Sequence, residues 1–276
     1  MIYKYKIFSQ SKKKIFKKVK VSVITVVYNG EDTIEKTIKN VLNQTYKNVE
    51  FILVYTPSSD RTFDIIKKYK SLIDKVVINT GDIGIYQSMN IGIKLASGKY
   101  TNFMNSGDYF FNKNTISRTI YTNTSEDVLY GDVKVLYPNF SRKIKALRES
   151  EIKNKMFFSH QSCFVKTELY KKYMFDLKYY YSSDYDFFYK LFKKKKLFKY
   201  TKTILSICKA YGIVDREKYI TLYQNLIISN KHRKKYIREE IKDLILIIFY
   251  FFLEKVKRLL PRRILLFLTK LLYKKI

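Results

Sequence analysis

The chain has 276 residues, 46% apolar and 17% aromatic, with a formal net charge of +31. That is enough apolar material for one large domain plus an appendage. Two cysteines, Cys163 and Cys208, in no metal-ligand spacing, exclude a disulfide scaffold and favour a reducing compartment, with a single bridge left open. The charge does not make a nucleic-acid binder. Residues 1–20 carry 8 lysines and no acid, and residues 231–276 carry 14 Lys and Arg against 4 acids, so more than half of the excess is terminal. No basic groove interleaved with stacking aromatics inside a recognisable module accompanies it. Beside apolar helices, such flanks suit an anionic membrane surface better.

Residues 1–20 read as a basic extension with no continuous apolar core of a signal peptide. Val21 to Tyr28, VSVITVVY, is a nearly unbroken β-branched run of the kind found in strands buried on both faces, and Asn29-Gly30 ends it. EDTIEKTIKNVLNQ then places Ile34, Ile38, Val41 and Leu42 on one helical face. A second strand is expected at Val49 to Val54. A Thr-Pro-Ser-Ser-Asp turn follows, in which Ser59 or Asp60 caps a helix carrying Phe63, Ile66 and Tyr69. A third strand is expected at Lys75 to Ile78. This alternation predicts an α/β fold, a mostly parallel sheet with helices on its faces.

From Asp82 to Asp108 a Gly-containing loop leads into an amphipathic helix with Ile85, Met89, Ile93 and Leu95. A Ser-Gly stop and a short strand follow, and the strand ends in Asn105-Ser-Gly-Asp108. In open α/β sheets ligands sit beyond the carboxyl ends of the strands, so Asp108 is placed to meet a ligand or a metal; taken alone it equally suits a turn.

VSVITVVYNGEDTIEKTIKNVLNQTYKNVEFILV, GIYQSMNIGIKLASGKYTNFMNSGD and the later SSDYDFF together resemble a family 2 glycosyltransferase of the GT-A fold. The GIY-x-x-MN, NSGD, HQ and SDYD elements are most similar to bacterial enzymes that build exopolysaccharide, capsule or O-antigen units. The resemblance covers roughly residues 21 to 215 and rests on several motifs in the right order.

The resemblance implies an inverting transfer of sugar from a nucleotide-sugar donor to a hydroxyl of a lipid-linked or other oligosaccharide acceptor, with Mg²⁺ or Mn²⁺ neutralising the diphosphate leaving group. By the same match, Asp108 stands for the metal-binding acid and Asp184 for the catalytic base. An acceptor hydroxyl needs such a base, though read by itself Asp184 is a first-turn acid stabilising a helix N-terminus. Asp186, two residues on, points elsewhere. His160 and Gln161, in FFSHQSCFV, fall on the acceptor or diphosphate side. Donor contacts are expected from Asp82, Tyr86 and Asn90, and from Tyr28 and Tyr55, whose rings are able to stack on a base. His232, in KHRKK, reads as part of a solvated basic face.

Two departures from the family pattern stand out. Tyr55-Thr-Pro-Ser-Ser-Asp60 replaces the acidic nucleotide-contacting stretch, and Gln87 stands where Asp is usual. They keep a second possibility open, a non-catalytic member that binds a glycan or a partner. Past Gly212 a mixed-charge helix is expected over 217–240. The ten apolar residues Leu244 to Leu253 are too few to span a bilayer, and RRILLFLTKLLYKKI is amphipathic with basic ends. The expected organisation is a basic extension (1–20), a GT-A domain (21–215) and a helical region (216–276) that rests on the inner face of the cell membrane.

Overall fold

The computed structural model of the chain describes residues 19–81, 84–122, 125–210 and 218–233. Its first half alternates as the periodicities require: β1 (Val21–Val27), α1 (Ile34–Leu42), β2 (Val49–Tyr55), α2 (Thr62–Tyr69), β3 (Lys75–Ile78), α3 (Ile85–Leu95) and β4 (Tyr100–Phe103). Every residue of β1 is buried, and the strand pairs in parallel with β2 on one side and β4 on the other. Its side chains divide by the two-residue period of a strand. Ile24 and Val26 join Ile52, Val54, Met89 and Ile93 in a core beneath α3, while Val21, Val23 and Val27 join Ile34, Ile38, Leu53 and Ile66 beneath α1 and α2. The α3 packing is close: a Cβ on Gly92 would sit 2.5 Å from a methyl of Ile24.

The second half supplies β5 (Tyr109–Phe110), α4 (Thr115–Thr122), β6 (Val128–Leu136), β7 (Ser141–Ile144), β8 (Cys163–Lys166), α5 (Thr167–Tyr173), α6 (Ser183–Lys193), β9 (Phe198–Lys209) and α7 (Lys218–Arg233). The described strands form one mixed sheet in the order β3-β2-β1-β4-β8-β6-β9-β5, with β7 hairpinned onto β6. It is parallel from β3 to β4 and antiparallel at β4–β8 and β8–β6. Connections leave β1 toward β2 and β3 and then return to β4 on its other side. That reversal opens a crevice beyond the carboxyl ends of β1 and β4.

Helix α7 packs on the start of α6: Gln224 accepts the Tyr181 N–H at 2.9 Å, the Thr221 carbonyl accepts the Ser182 hydroxyl at 3.4 Å, and Ile228 is fully buried. The basic extension through residue 18, His232's basic neighbours beyond 233, the apolar run 244–253 and the amphipathic end 262–276 lie outside the described residues. Among the described residues no helix is long and apolar enough to cross a membrane.

The opposite, amino-terminal end of the sheet is tied by Glu50, 3% exposed. Its carboxylate accepts the Ser22 hydroxyl at 2.6 Å, the Ser97 N–H at 2.7 Å and the Lys75 ammonium at 2.9 Å, which joins β1, β2, β3 and the α3–β4 turn. Burial opposes its charge, but these donors together hold the carboxyl far below the usual range. Because the folded value is depressed, the stabilisation is complete above the unfolded value of about 4.3 and is lost as pH falls toward the folded one. Glu50→Gln should therefore cost about 2–3 kcal/mol in denaturant unfolding at pH 7, and the deficit should shrink below about pH 4.

Candidate active site

The crevice at the strand ends is a cleft of about 310 Å³, walled by Tyr28, Thr56, Ser88, Asn105, Ser106 and Tyr181 among others. Three loops are knitted together around it. Asn29 takes a left-handed turn (φ 45°), its N–H donates to the Ser58 hydroxyl, and its side-chain carbonyl accepts the Ser59 N–H. Asp60 accepts the Glu31 N–H and the Thr62 N–H, each at 3.0 Å, so the expected helix-capping acid also fixes the loop after β1. Thr33 and Ser106 share a hydroxyl hydrogen bond of 2.8 Å across to the loop after β4.

Tyr28 leaves β1 half exposed, at 50%, and offers its ring to the cleft. Tyr55 does not. It is 6% exposed, its ring stacks on Phe63 at 5.2 Å, and its hydroxyl accepts the Ser58 N–H, so the expectation that it stacks on a base is corrected: the ring is buried against Phe63 of α2. Asn90 is likewise turned to structure, its amide spanning both the N–H and the carbonyl of Phe175 at 2.9 Å. Tyr86 is a partner of Asp184 rather than a lining residue of the cleft. Asp82 lies outside the described residues. Thr56 is buried and shares a 3.3 Å hydrogen bond with Ser88, which also receives the Asn79 amide.

Beside the cleft, separate segments bring charged groups together. Asp184, in the first turn of α6, accepts the Tyr86 hydroxyl at 2.8 Å and the Tyr185 N–H at 2.9 Å on one oxygen, and its other oxygen lies 3.5 Å from Nδ1 of His160. His160 opens the short turn before β8, a turn that the Asn102 amide of β4 grips through the Gln161 and Cys163 carbonyls. On its far side Nε2 lies 3.4 Å from the Asn105 amide nitrogen, and Gln161 donates to Asp108 at 3.2 Å. Asp186 is fully buried and paired with Lys190, away from the cleft.

The electrostatics follow from that arrangement. Burial opposes charge on His160, but the hydrogen bond and charge of Asp184, and then the charge of Asp108, outweigh it and raise the imidazole above its ordinary value. Burial also opposes charge on Asp184, yet His160, Tyr86 and the Tyr185 N–H keep it below the ordinary carboxylate range. For Asp108 burial prevails over His160 and Gln161, and its carboxyl is pushed up to about 6. His160 thus stands between two carboxylates, each of which favours its protonated form.

Asp108 and Asn105 fit a hard divalent cation. The Asn105 side-chain oxygen is buried with no hydrogen-bond partner among the described residues, and Asp108 is a buried carboxylate whose charge burial opposes, pushing it up to about 6. Among the described residues no cluster of three or more His, Cys, Asp or Glu exists to hold a metal, so these two side chains are the ones that would hold a cation. Mg²⁺ and Mn²⁺ tolerate that when substrate phosphates and water complete the shell.

Residues 22–222 match the model of the family described as "Glycosyl transferase family 2". The chain belongs to glycosyl transferase family 2. It is 37% identical over 110 residues to the UDP-Glc:alpha-D-GlcNAc-diphosphoundecaprenol beta-1,3-glucosyltransferase WfaP of Escherichia coli, a match covering 40% of this chain and 43% of that one. The fold is that of GT-A glycosyltransferases. S. aureus TarS in complex with UDP superposes with a TM-score of 0.59 at 19% identity over 76% of this chain and 65% of its own. The Pyrobaculum calidifontis mannosyltransferase PcManGT, in complex with GDP-Man and Mn²⁺, gives 0.60 at 15% identity over 80% and 66%.

Sequence reasoning missed Tyr181, Ser88 and Ser106 as cleft walls and Asn102 as the grip on the His160 turn. The YYYSSD run was the available signal for Tyr181; a buried Asn in the middle of β4 was the signal for Asn102.

Removing the charge on Asp108 should relieve a strained burial. Asp108→Asn is expected to raise the thermal midpoint of the metal-free protein by a few degrees at pH 8, where the folded carboxyl is ionised, and by less at pH 5, where it is already mostly protonated. A fall in the midpoint at pH 8 would contradict this account.

Proposed function

We propose that this protein is a metal-dependent, inverting glycosyltransferase that moves a sugar from a nucleotide-sugar donor to a hydroxyl of a lipid-linked oligosaccharide in bacterial surface-polysaccharide synthesis. The observation that carries the proposal is the pairing, around one histidine, of two carboxylates from segments 76 positions apart in sequence, Asp108 beyond β4 and Asp184 on α6. One acid suits a cation-bound diphosphate, and the other suits a proton.

In this mechanism the nucleotide lies in the cleft against Tyr28 and Thr56. Asp108 and Asn105 would hold Mg²⁺ or Mn²⁺, which supplies neutralisation of the diphosphate as it leaves. The acceptor hydroxyl attacks the anomeric carbon from the face opposite the diphosphate. A carbon–oxygen bond to the acceptor forms, the bond to the diphosphate breaks, and Asp184 takes the hydroxyl proton. Tyr86 and the Tyr185 N–H hold Asp184 ionised and oriented before the step. His160, its protonated form favoured by both carboxylates, screens their mutual repulsion when charged and places that charge near the developing diphosphate.

The relative WfaP is named for a diphosphoundecaprenol acceptor, which supports a lipid-linked acceptor here. Residues 21–215 form the catalytic domain, and the basic, apolar C-terminal region attaches it peripherally to the inner face of the cell membrane.

A panel of UDP-, GDP- and dTDP-sugars with Mn²⁺ or Mg²⁺ tests this by nucleotide release and thermal stabilisation, with and without membrane extract. One donor should stabilise the protein only with metal. Asp184→Asn should lower kcat about 10²–10⁴-fold while donor binding stays within about threefold. Asp108→Ala should remove the metal-dependent stabilisation. Donor-independent behaviour across the panel in folded protein would support the non-catalytic alternative.

A further inference from the structure

A second cavity, about 350 Å³, lies under the β6–β7 hairpin between Val133 and Val135 of β6, the stretch Ile144 to Leu147, and the segment Lys155 to Ser159. Its interior is apolar: Val133, Val135, Ala146, Phe157 and Phe158 are buried, and the Leu147 N–H donates to the Phe157 carbonyl at 2.8 Å to close the floor. Its mouth differs. Ile144 and Leu147 are 43% and 40% exposed, Lys145 and Lys155 stand exposed beside them, and no acid lines the space. Lys143 is paired with buried Asp132 at 2.8 Å and is not available to a ligand.

The cavity adjoins the segment that carries the charged centre. Ser159, which lines it, donates its hydroxyl to the Gln161 side-chain carbonyl at 2.5 Å, and Gln161 donates to Asp108 at 3.2 Å. The next residue after Ser159 is His160. One wall of the cavity is thus hydrogen-bonded to the charged centre, while its mouth lies between lysines and exposed aliphatic side chains.

We infer that this cavity is the acceptor subsite for a sugar joined through an anionic diphosphate to an apolar chain. Lys145 and Lys155 pair with the phosphates, and Ile144, Leu147 and Met156 cover the first carbons of the chain. The inference rests on the transferase reading above and adds where, and by what groups, a lipid-linked acceptor is recognised. The occupant follows from charge complementarity: a bare sugar would leave the lysines and the aliphatic rim unused, and a free anion would leave the apolar interior unused.

Isothermal titration calorimetry with farnesyl diphosphate in EDTA, on the full chain, tests it directly. Farnesol and inorganic diphosphate should each bind at least tenfold more weakly than farnesyl diphosphate, and saturating UDP should not displace it. Lys145→Glu with Lys155→Glu, and separately Ile144→Asp with Leu147→Asp, should each weaken binding tenfold or more, with melting curves checking the fold of these exposed-site variants. Displacement by UDP would place the ligand in the donor cleft and overturn the inference, as would unchanged affinity in both variants. Binding to phosphatidylglycerol vesicles but not to farnesyl diphosphate would make the face a bilayer surface and overturn it equally. Farnesyl diphosphate binding of the expected pattern in a protein that releases nucleotide from no sugar donor would uphold the subsite and sink the transferase reading. Donor turnover without that binding would do the reverse.

Discussion

Beside the cleft two carboxylates share one histidine, and each of them favours the protonated form of His160 between them. Its ring sits 3.5 Å from Asp184 on one side and in the field of Asp108 on the other. The remaining contacts in the region serve that arrangement. Asn102 fixes the turn that carries the imidazole, Tyr86 orients the carboxylate it faces, and Gln161 steadies the second acid. The unequal result matters chemically. Asp184 is held ionised, the state the proposed base needs, whereas Asp108 is left short of compensation, a state that the proposed cation would relieve.

Positioning these groups falls to the sheet. The reversal of strand order between β1 and β4 opens the crevice, and the antiparallel β8 beside β4 carries the His160 turn to its edge. The two ends of the sheet are specialised. The amino end is locked by Glu50 and its lysine and serine donors, while the carboxyl end holds loops tied mainly by hydroxyl and amide hydrogen bonds. Such bonds fix geometry at modest energy and leave the rims able to adapt to a ligand.

The cleft is walled by neutral groups: Thr56 and Ser88 form a hydroxyl pair, and Tyr28 and Tyr181 supply aromatic surface. Helix α7 takes part, because Gln224 holds the backbone of Tyr181. Helix α7 is thereby tied to the cleft wall and to the start of α6, where Asp184 lies.

The sequence by itself determined the parallel half of the sheet, its helices and the candidates Asp108, Asp184, His160 and Gln161. Those features are local: a β-branched run, a helical period, a turn signal and a set of ordered motifs. Tertiary structure decided which polar residues face the cleft and which are spent on the fold. Tyr55 and Tyr28 are both aromatic residues at the end of a strand, yet Phe63 covers one and leaves the other open. Asn90 sits in a motif that points to a donor contact, but its amide is consumed by the backbone of Phe175, 85 residues away in sequence. The His160–Asp184 pair and the cavity under the β6–β7 hairpin were equally illegible, because each is made by segments whose meeting depends on how the whole sheet twists and packs. Side-chain role at such distances is set by competition among partners, and only the folded chain brings those partners together.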